Sequence, residues 1–308
     1  MITINGTHKA QSIIPHLWFA TQAREAVSFY CSLLPDSRIE HVTTLRGTPS
    51  GECEVVSFKL AGQPFMAISA GPYFTFNPSI SFFLNFDPSR DAEARAALDA
   101  TWEKLAEGGQ ALMPLDAYPF SQRYGWIQDR YGLSWQLILS NPEGEPRPCV
   151  IPSLLFTAEN CGKAEEAGAF YRSVFPGAKA GEIARYPADL PPNHEGTLMF
   201  SDFRLGATWF AAMDSAFDHG FGFNEALSFV VPCRDQAEID TYWEALSAVP
   251  EAEQCGWCKD RYGISWQIVP GELNEMLRDD DPAAMDRVTQ ALLGMKKLDL
   301  AALRTARG

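Results

Sequence analysis

The chain has 308 residues, 46% of them hydrophobic, with a net charge of −14 and a pI near 4.8. That length suggests about two domains, each able to bury a core of its own. The acidic balance excludes a nucleic-acid or anionic-membrane surface, because phosphate contacts need clustered Lys and Arg and only Lys296-Lys297 approaches a cluster.

No apolar stretch approaches the ~20 residues of a membrane span. The first residues lack the basic region and apolar run of a secretory signal. Seven cysteines, an odd number without a framework, fit free thiols in a reducing, cytoplasmic setting.

Residues 1–12 read as a polar lead-in. Ile13 to Phe19 reads as a strand, with Ile14, His16 and Trp18 on one face and Pro15, Leu17 and Phe19 on the other. Ala26, Phe29, Tyr30, Leu33 and Leu34 then share one helical stripe, which Pro35-Asp36 ends. Strands follow near 37–45, 53–60 and 63–70. The order repeats: a strand at Ile80 to Phe86, and a helix at Asp91 to Glu107 with Ala94, Leu98, Trp102 and Leu105 inward. Gly108-Gly109 stops that helix, and strands are expected near 110–118, 124–128 and 133–139. Each unit is thus a strand, a helix and three strands, and two consecutive units are expected to make one domain, residues 1–140.

Within that domain stands a phrase, Gly125-Trp126-Ile127-Gln128-Asp129-Arg130-Tyr131-Gly132-Leu133-Ser134-Trp135-Gln136, that returns as Gly256-Trp257-Cys258-Lys259-Asp260-Arg261-Tyr262-Gly263-Ile264-Ser265-Trp266-Gln267. The chain is therefore an internal duplication. Asp129 and Gly132 bracket a turn. Beyond it Leu133, Trp135 and Leu137 alternate with Ser134, Gln136 and Ile138, and the second copy sets Ile264, Trp266 and Ile268 against Ser265, Gln267 and Val269. The glutamine faces are expected to look into a hollow and Trp135 and Trp266 toward the helices. Asp129-Arg130 and Asp260-Arg261 read as turn and surface ion-pair residues; Glu54, His194 and Glu195 read as strand starts.

Asn141 to Pro148 is a linker by composition (141–149). Residues 150–270 then repeat the first domain: Ile151-Pro152-Ser153-Leu154-Leu155-Phe156 matches the first strand, and Leu227-Ser228-Phe229 matches Ile80-Ser81-Phe82. The tail, 271–308, has no counterpart. Asp281-Pro282 opens a helix with Met285, Val288, Leu292 and Met295 along one side, Ala301-Ala302-Leu303 adds a last turn, and such a tail is expected to cover a sheet or a partner subunit. Cys255 and Cys258 form a Cys-x-x-Cys, but beside a strand, where they face opposite sides, and without the second pair a zinc site needs.

Four strand-helix-three-strand units in tandem pairs resemble the vicinal-oxygen-chelate (glyoxalase/bleomycin-resistance/dioxygenase) superfamily. Pro15-His16-Leu17-Trp18-Phe19, Glu25-Ala26 with Phe29-Tyr30, Gly256-Trp257 through Gln267 and Met295-Lys296-Lys297 are similar to the PhnB-like group, commonly labelled 3-demethylubiquinone-9 3-methyltransferase. The resemblance implies an α+β fold, two tandem domains of cupped mixed sheet with a ligand-sized hollow in each. In metal-dependent members each cup holds a divalent ion through His or Gln on the first strands and Glu on the last. Carried over, the first domain offers His16, Ser81 and Gln136, with Ala67 or a neighbour in the remaining place. The second offers Ser153, Ser228 and Gln267, with an alanine near 211–212. Hard divalent ions prefer carboxylate or imidazole, so a metal is conceivable only in the first domain, with His16 its sole candidate ligand.

Trp18, Ser81, Trp126, Gln136, Ser153, Ser228, Trp257 and Gln267 are the candidate ligand-binding residues, and His16 the candidate catalytic base. Each has a plainer reading: buried glutamines satisfy neighbouring backbone, tryptophans pack cores, and a histidine can simply sit in a wetted hollow. Methyl transfer from S-adenosylmethionine would call for a strand, a Gly-rich turn and a helix, and Gly220-Phe221-Gly222 leads into a strand instead. The expectation is a protein holding a small organic ligand without the usual metal, with the His16 cup favoured. The alternatives are a metal-dependent glyoxalase- or dioxygenase-type enzyme, a structural role with side chains filling the cups, and the methyltransferase of the label. The chain is expected to be a monomer containing an intramolecular pseudo-dimer, or a homodimer.

Overall fold

The computed structural model describes residues 12–278 and 281–308. The lead-in at 1–11 lies outside the described residues. The first unit is β1 (Ile14–Phe19), α1 (Ala23–Cys31), β2 (Arg38–Thr48), β3 (Gly51–Leu60) and β4 (Gln63–Ser69). The second is β5 (Ile80–Phe86), α2 (Ala94–Ala106), β6 (Gln110–Tyr118), β7 (Ser121–Gln128) and β8 (Ser134–Leu139). The third is β9 (Val150–Phe156), α3 (Ala164–Val174), β10 (Lys179–Arg185), β11 (Leu198–Leu205) and β12 (Thr208–Asp214). The fourth is shorter: β13 (Leu227–Cys233), α4 (Gln236–Leu246), β14 (Trp257–Lys259) and β15 (Ser265–Pro270). Local chemistry explains these elements well. The β3–β4 hairpin, for example, turns on Ala61 and Gly62, both at positive φ (47° and 78°), the backbone a two-residue hairpin loop requires.

The strands form two mixed sheets, one of seven strands in the order β14-β15-β13-β1-β4-β3-β2 and one of eight in the order β10-β11-β12-β9-β5-β8-β7-β6. The fold class is the expected one, but the grouping of units is crosswise. Unit one pairs with unit four through antiparallel β1 and β13, His16 opposite Ser228. Unit two pairs with unit three through β5 and β9, Ser81 opposite Ser153. No cup is therefore made from two consecutive units of one chain half, and the expectation that His16, Ser81 and Gln136 share a hollow is corrected. The physical reason is that β1, β5, β9 and β13, the first strands of their units, each have one edge left unpaired within the unit. Duplicated edges are interchangeable, so nothing in the local pattern says which one closes which.

Both sheets curl. Neighbouring strands lie about 4.8 Å apart, so residues three strands distant would stand about 14 Å apart on a flat sheet. Yet the Phe83 and Phe200 rings, on β5 and β11, approach to 6.0 Å, and those of Trp18 and Trp257, on β1 and β14, to 6.1 Å. The helices and the main core lie on the outer faces, where the sheets also meet each other, Phe65 against Phe82 and Phe210 against Phe229.

The fourth unit lacks one strand, and the tail fills its place. The tail holds α5 (Leu273–Met276), α6 (Pro282–Leu293) and α7 (Leu300–Arg307). Asp281 and Asp299 cap α6 and α7, accepting from Ala283 N and Ala302 N. The Cys255 and Gly256 amides donate to the Met295 and Lys296 carbonyls, each at 2.8 Å. Gln290 Nε2 reaches Gly47 O at 3.2 Å on β2, while Gln254 Nε2 reaches Leu293 O at 2.9 Å. Residues one helical turn apart thus touch opposite edges of the seven-stranded sheet, and α6 spans the seam where that sheet nearly closes. The tail covers a sheet, as expected, and of the expected stripe Val288 is buried while Leu292 and Met295 pack against the core; α6 also buries Ala284 and Thr289. Glu54 sits inside β3, and His194 and Glu195 lie between β10 and β11, not at strand starts.

Candidate functional site

The repeated phrase builds the scaffold of both cups around a buried carboxylate. Asp260 accepts from the Trp266 indole (2.8 Å), the Tyr171 hydroxyl (2.8 Å) and the amides of Tyr262 (2.8 Å) and Ile264 (3.1 Å). Asp129 accepts likewise from Trp135 (2.8 Å), Tyr131 N and Leu133 N. Burial raises both carboxyls above the usual range, opposed by these hydrogen bonds. The surface ion-pair reading of Asp129 and Asp260 is thereby corrected. Arg130 and Arg261 instead lie over the Phe29 and Phe170 rings, at 4.2 and 4.3 Å. With the tryptophans tied to the outer layer, alternation turns Gln136 and Gln267 inward, as expected.

In the eight-stranded sheet the inward face carries one continuous row of paired residues. Arg204 pairs with Trp209, Ile151 with Phe83, and Phe83 with Gln136, which in turn pairs with Trp126. The pairing of Ala211 with Ser153 sets Trp209 level with Ile151, completing the row. Its apolar members belong to a second hydrophobic cluster, separate from the main core and edged by half-buried Met113, Trp126, Phe200 and Met213. At its floor Gln136 Oε1 accepts from the Tyr124 hydroxyl at 2.7 Å, and Nε2 donates to Ser81 Oγ at 2.8 Å and, at 3.5 Å, to Ser153 Oγ. The Trp126 indole donates to Ser134 Oγ at 2.6 Å. The structure thus brings Ser81, Trp126, Gln136 and Ser153 together.

His16, Trp18, Ser228, Trp257 and Gln267 meet in the seven-stranded cup instead. Gln267 Nε2 donates to Ser228 Oγ at 2.9 Å, and the His16 ring meets Trp257 edge-on at 5.7 Å. His16 is 4% exposed, its Nδ1 is buried without a hydrogen-bond partner, and burial lowers its pKa to about 4, so the imidazole is neutral near pH 7. The tail crosses this cup. Arg278 donates to Ser57 Oγ at 2.9 Å and Asn274 approaches Met66 Sδ at 3.9 Å, both on the face that His16 shares.

At the positions that the superfamily resemblance implies for a divalent ion, one cup offers His16, Ser228, Gln267 and Met66, the other Ser153, Ser81, Gln136 and Ala211. Of the two options expected for the fourth place, Ala67 or a neighbour, Ala67 faces the core and its neighbour Met66 stands beside His16. One imidazole and no carboxylate do not fit a hard divalent ion. Among the described residues no three His, Cys, Asp or Glu side chains come together as a metal-binding group. Cys255 and Cys258 are free thiols, Cys258 buried and Cys255 partly exposed. Gly220-Phe221-Gly222 lies ahead of β13, with no helix behind it. The described residues contain no helix long and apolar enough to cross a membrane.

Sequence reasoning missed Tyr124, Trp209 and Arg204. Tyr124 was readable in principle, two residues from Trp126 on the same face; the other two join the site only through the crosswise pairing.

A family profile described as 3-demethylubiquinone-9 3-methyltransferase matches residues 11–138 and again 148–269. The PhnB protein from Bacillus cereus is 36% identical over 42% of this chain and 100% of its own, with a TM-score of 0.38. A protein of known structure from Staphylococcus aureus is 31% identical over 42% of this chain and 96% of its own (TM-score 0.18). Glyoxalase I from Zea mays is 13% identical over 88% of this chain and 97% of its own, with a TM-score of 0.51, a likeness of fold alone. No curated protein matches the chain. Two family matches on two curled sheets lead to one conclusion: the chain belongs to the PhnB-like family described as 3-demethylubiquinone-9 3-methyltransferase, in a tandem form with the glyoxalase fold.

Proposed function

We propose that the protein holds a small organic molecule with an apolar or aromatic body against the inward face of the eight-stranded sheet, anchored by Gln136 and bound without a divalent ion. The observation that carries this reading is the Gln136 network at the foot of an aromatic wall. Its Oε1 accepts one hydrogen bond and has a second lone pair to offer a ligand hydroxyl or amine, and its 3.5 Å contact with Ser153 is weak enough to exchange. Aromatic walls with a few convergent polar groups are the usual make-up of small-molecule sites. The His16 cup is the less favoured of the two because the tail lies across it. The family's methyltransferase description finds no support in the strand-turn-helix logic of a nucleotide site, and no turnover is part of the proposal.

Native mass spectrometry of the purified full chain tests the reading. A small molecule is expected to co-purify with the wild type, and Gln136→Leu is expected to lower its occupancy about ten-fold, the worth of one good hydrogen bond in a buried site. Retention at full occupancy in a folded Gln136→Leu protein would overturn the assignment of this cup. The competing reading is a metal-assisted enzyme in the other cup, which the donor set around His16 does not favour. Stoichiometric metal in the purified protein that disappears in His16→Ala would favour it.

A further inference from the structure

We infer that the ligand of the eight-stranded cup carries a carboxylate or similar planar anion, and that Arg204 is the residue that receives it. This deepens the proposed function and rests on its assignment of the cup. Arg204 lies on the inward face of β11, in the same row as Gln136 but on the opposite arm of the curled sheet. Its Nε is buried and makes no hydrogen bond among the described residues.

The neighbouring charges account for each other and leave Arg204 over. Arg147, from the linker, donates to Asp202 at 2.6 Å and stacks over Trp209 at 3.9 Å. Asp202 is further engaged by the Glu182 amide. Lys179, paired with Arg204 across the strands, holds Glu145 at 2.8 Å, and Glu145 also meets Arg147 at 3.1 Å. Among the described residues three cations therefore face two carboxylates, and both carboxylates are taken by Arg147 and Lys179. Arg204 is half-buried, and its buried Nε–H without a partner is costly, a cost that an incoming anion would relieve. Arginine presents paired donors whose geometry matches a carboxylate. The cup thus has two polar poles, an amide acceptor on one arm and a cation on the other, with Trp209, Ile151 and Phe83 between them. An aryl or alkyl carboxylate fits this arrangement. A neutral molecule of the same shape would leave one pole unanswered.

The test uses the full chain and two probes of near-equal shape, benzoate and benzyl alcohol, followed through the indole N–H signals of Trp126 and Trp209 in NMR titrations at low salt. The wild type is expected to bind benzoate about ten-fold more tightly than benzyl alcohol, as one charge-assisted hydrogen bond pair would give. Arg204→Gln is expected to abolish the preference by weakening benzoate binding about ten-fold, and Arg204→Lys, which keeps the charge but not the fork, to retain part of it. Equal binding of the two probes by the wild type overturns the anion preference alone, and so does a preference that survives in Arg204→Gln. Movement of neither indole signal by either probe overturns the cup assignment itself, and with it this inference. Should Arg204→Gln not fold, the wild-type comparison and Arg204→Lys still decide the matter.

Discussion

Asp260 shows how one side chain can hold a site it never touches. Its four hydrogen bonds join the turn, the outer-layer Trp266 and the helix residue Tyr171, so that Gln267 is turned inward by default. Asp260→Asn keeps the shape but replaces one acceptor oxygen with a donor aimed at donors. Chemical denaturation should show a loss of about 2–3 kcal/mol, the cost of buried groups left unsatisfied; a loss under half of that would remove the carboxylate from its central role. His16 carries a different signature. Its imidazole takes a proton near pH 4 when folded and near 6.5 when unfolded, so the unfolded chain binds the proton more readily between those values. Stability due to the neutral ring is therefore complete above the unfolded value and falls as pH drops through this window, by roughly 3 kcal/mol in all. Urea titrations of wild type and His16→Gln across pH 4 to 7 should give a stability difference that shifts in favour of the variant as acid is added. A difference that stays flat with pH would mean the ring is hydrated. The inward aim of both glutamines was legible from strand alternation, whereas the burial of the aspartates was not, since an Asp in a turn next to Arg is usually solvated.

The two copies of the phrase keep the same glycine for unlike reasons. A Cβ on Gly125 would lie 2.5 Å from the Trp102 ring, a clash with a helix of its own unit. Gly256 has φ of +84°, and a Cβ there would meet Ile268 O at 3.0 Å and the tail's Leu298 at 3.1 Å. Gly256→Ala should cost about 1–3 kcal/mol through backbone strain and displaced tail packing. Hydrogen exchange should report it as faster exchange of the Cys255 and Gly256 amides, the pair that binds the tail; unchanged protection there would show that the tail is not seated through this edge. The helix period made the tail helices visible in the sequence. Their placement over the seam of the seven-stranded sheet was not visible, because it depends on the strand that the fourth unit lacks, and a missing strand leaves no pattern to read.

Crosswise pairing makes the two chain halves mutually dependent. Residues 1–140 produced alone would expose the open edges of both β1 and β5, which in the whole chain are covered by β13 and β9. Exposed edges recruit equivalent edges, and the halves of one duplication are equivalent. The isolated first half should therefore form a homodimer in which each copy's first unit pairs with the other copy's second, with an apparent stability that rises with concentration. Size-exclusion chromatography with light scattering would check this, and a stable folded monomer would show that consecutive units can close on each other after all.

From sequence alone came the duplication, the strand and helix order of three units, the family and the faces on which His16, Gln136 and Gln267 stand. All of these follow from local periodicity and from short recurring phrases. Only the tertiary structure decided which residues share a cup, because four near-identical edges admit more than one pairing and the choice lies in contacts between segments far apart in the chain, His16 with Ser228 and Ser81 with Ser153. Arg204 and Gln136 have no relation in the sequence; the pairing of one sheet's strands sets them in one row of its inward face.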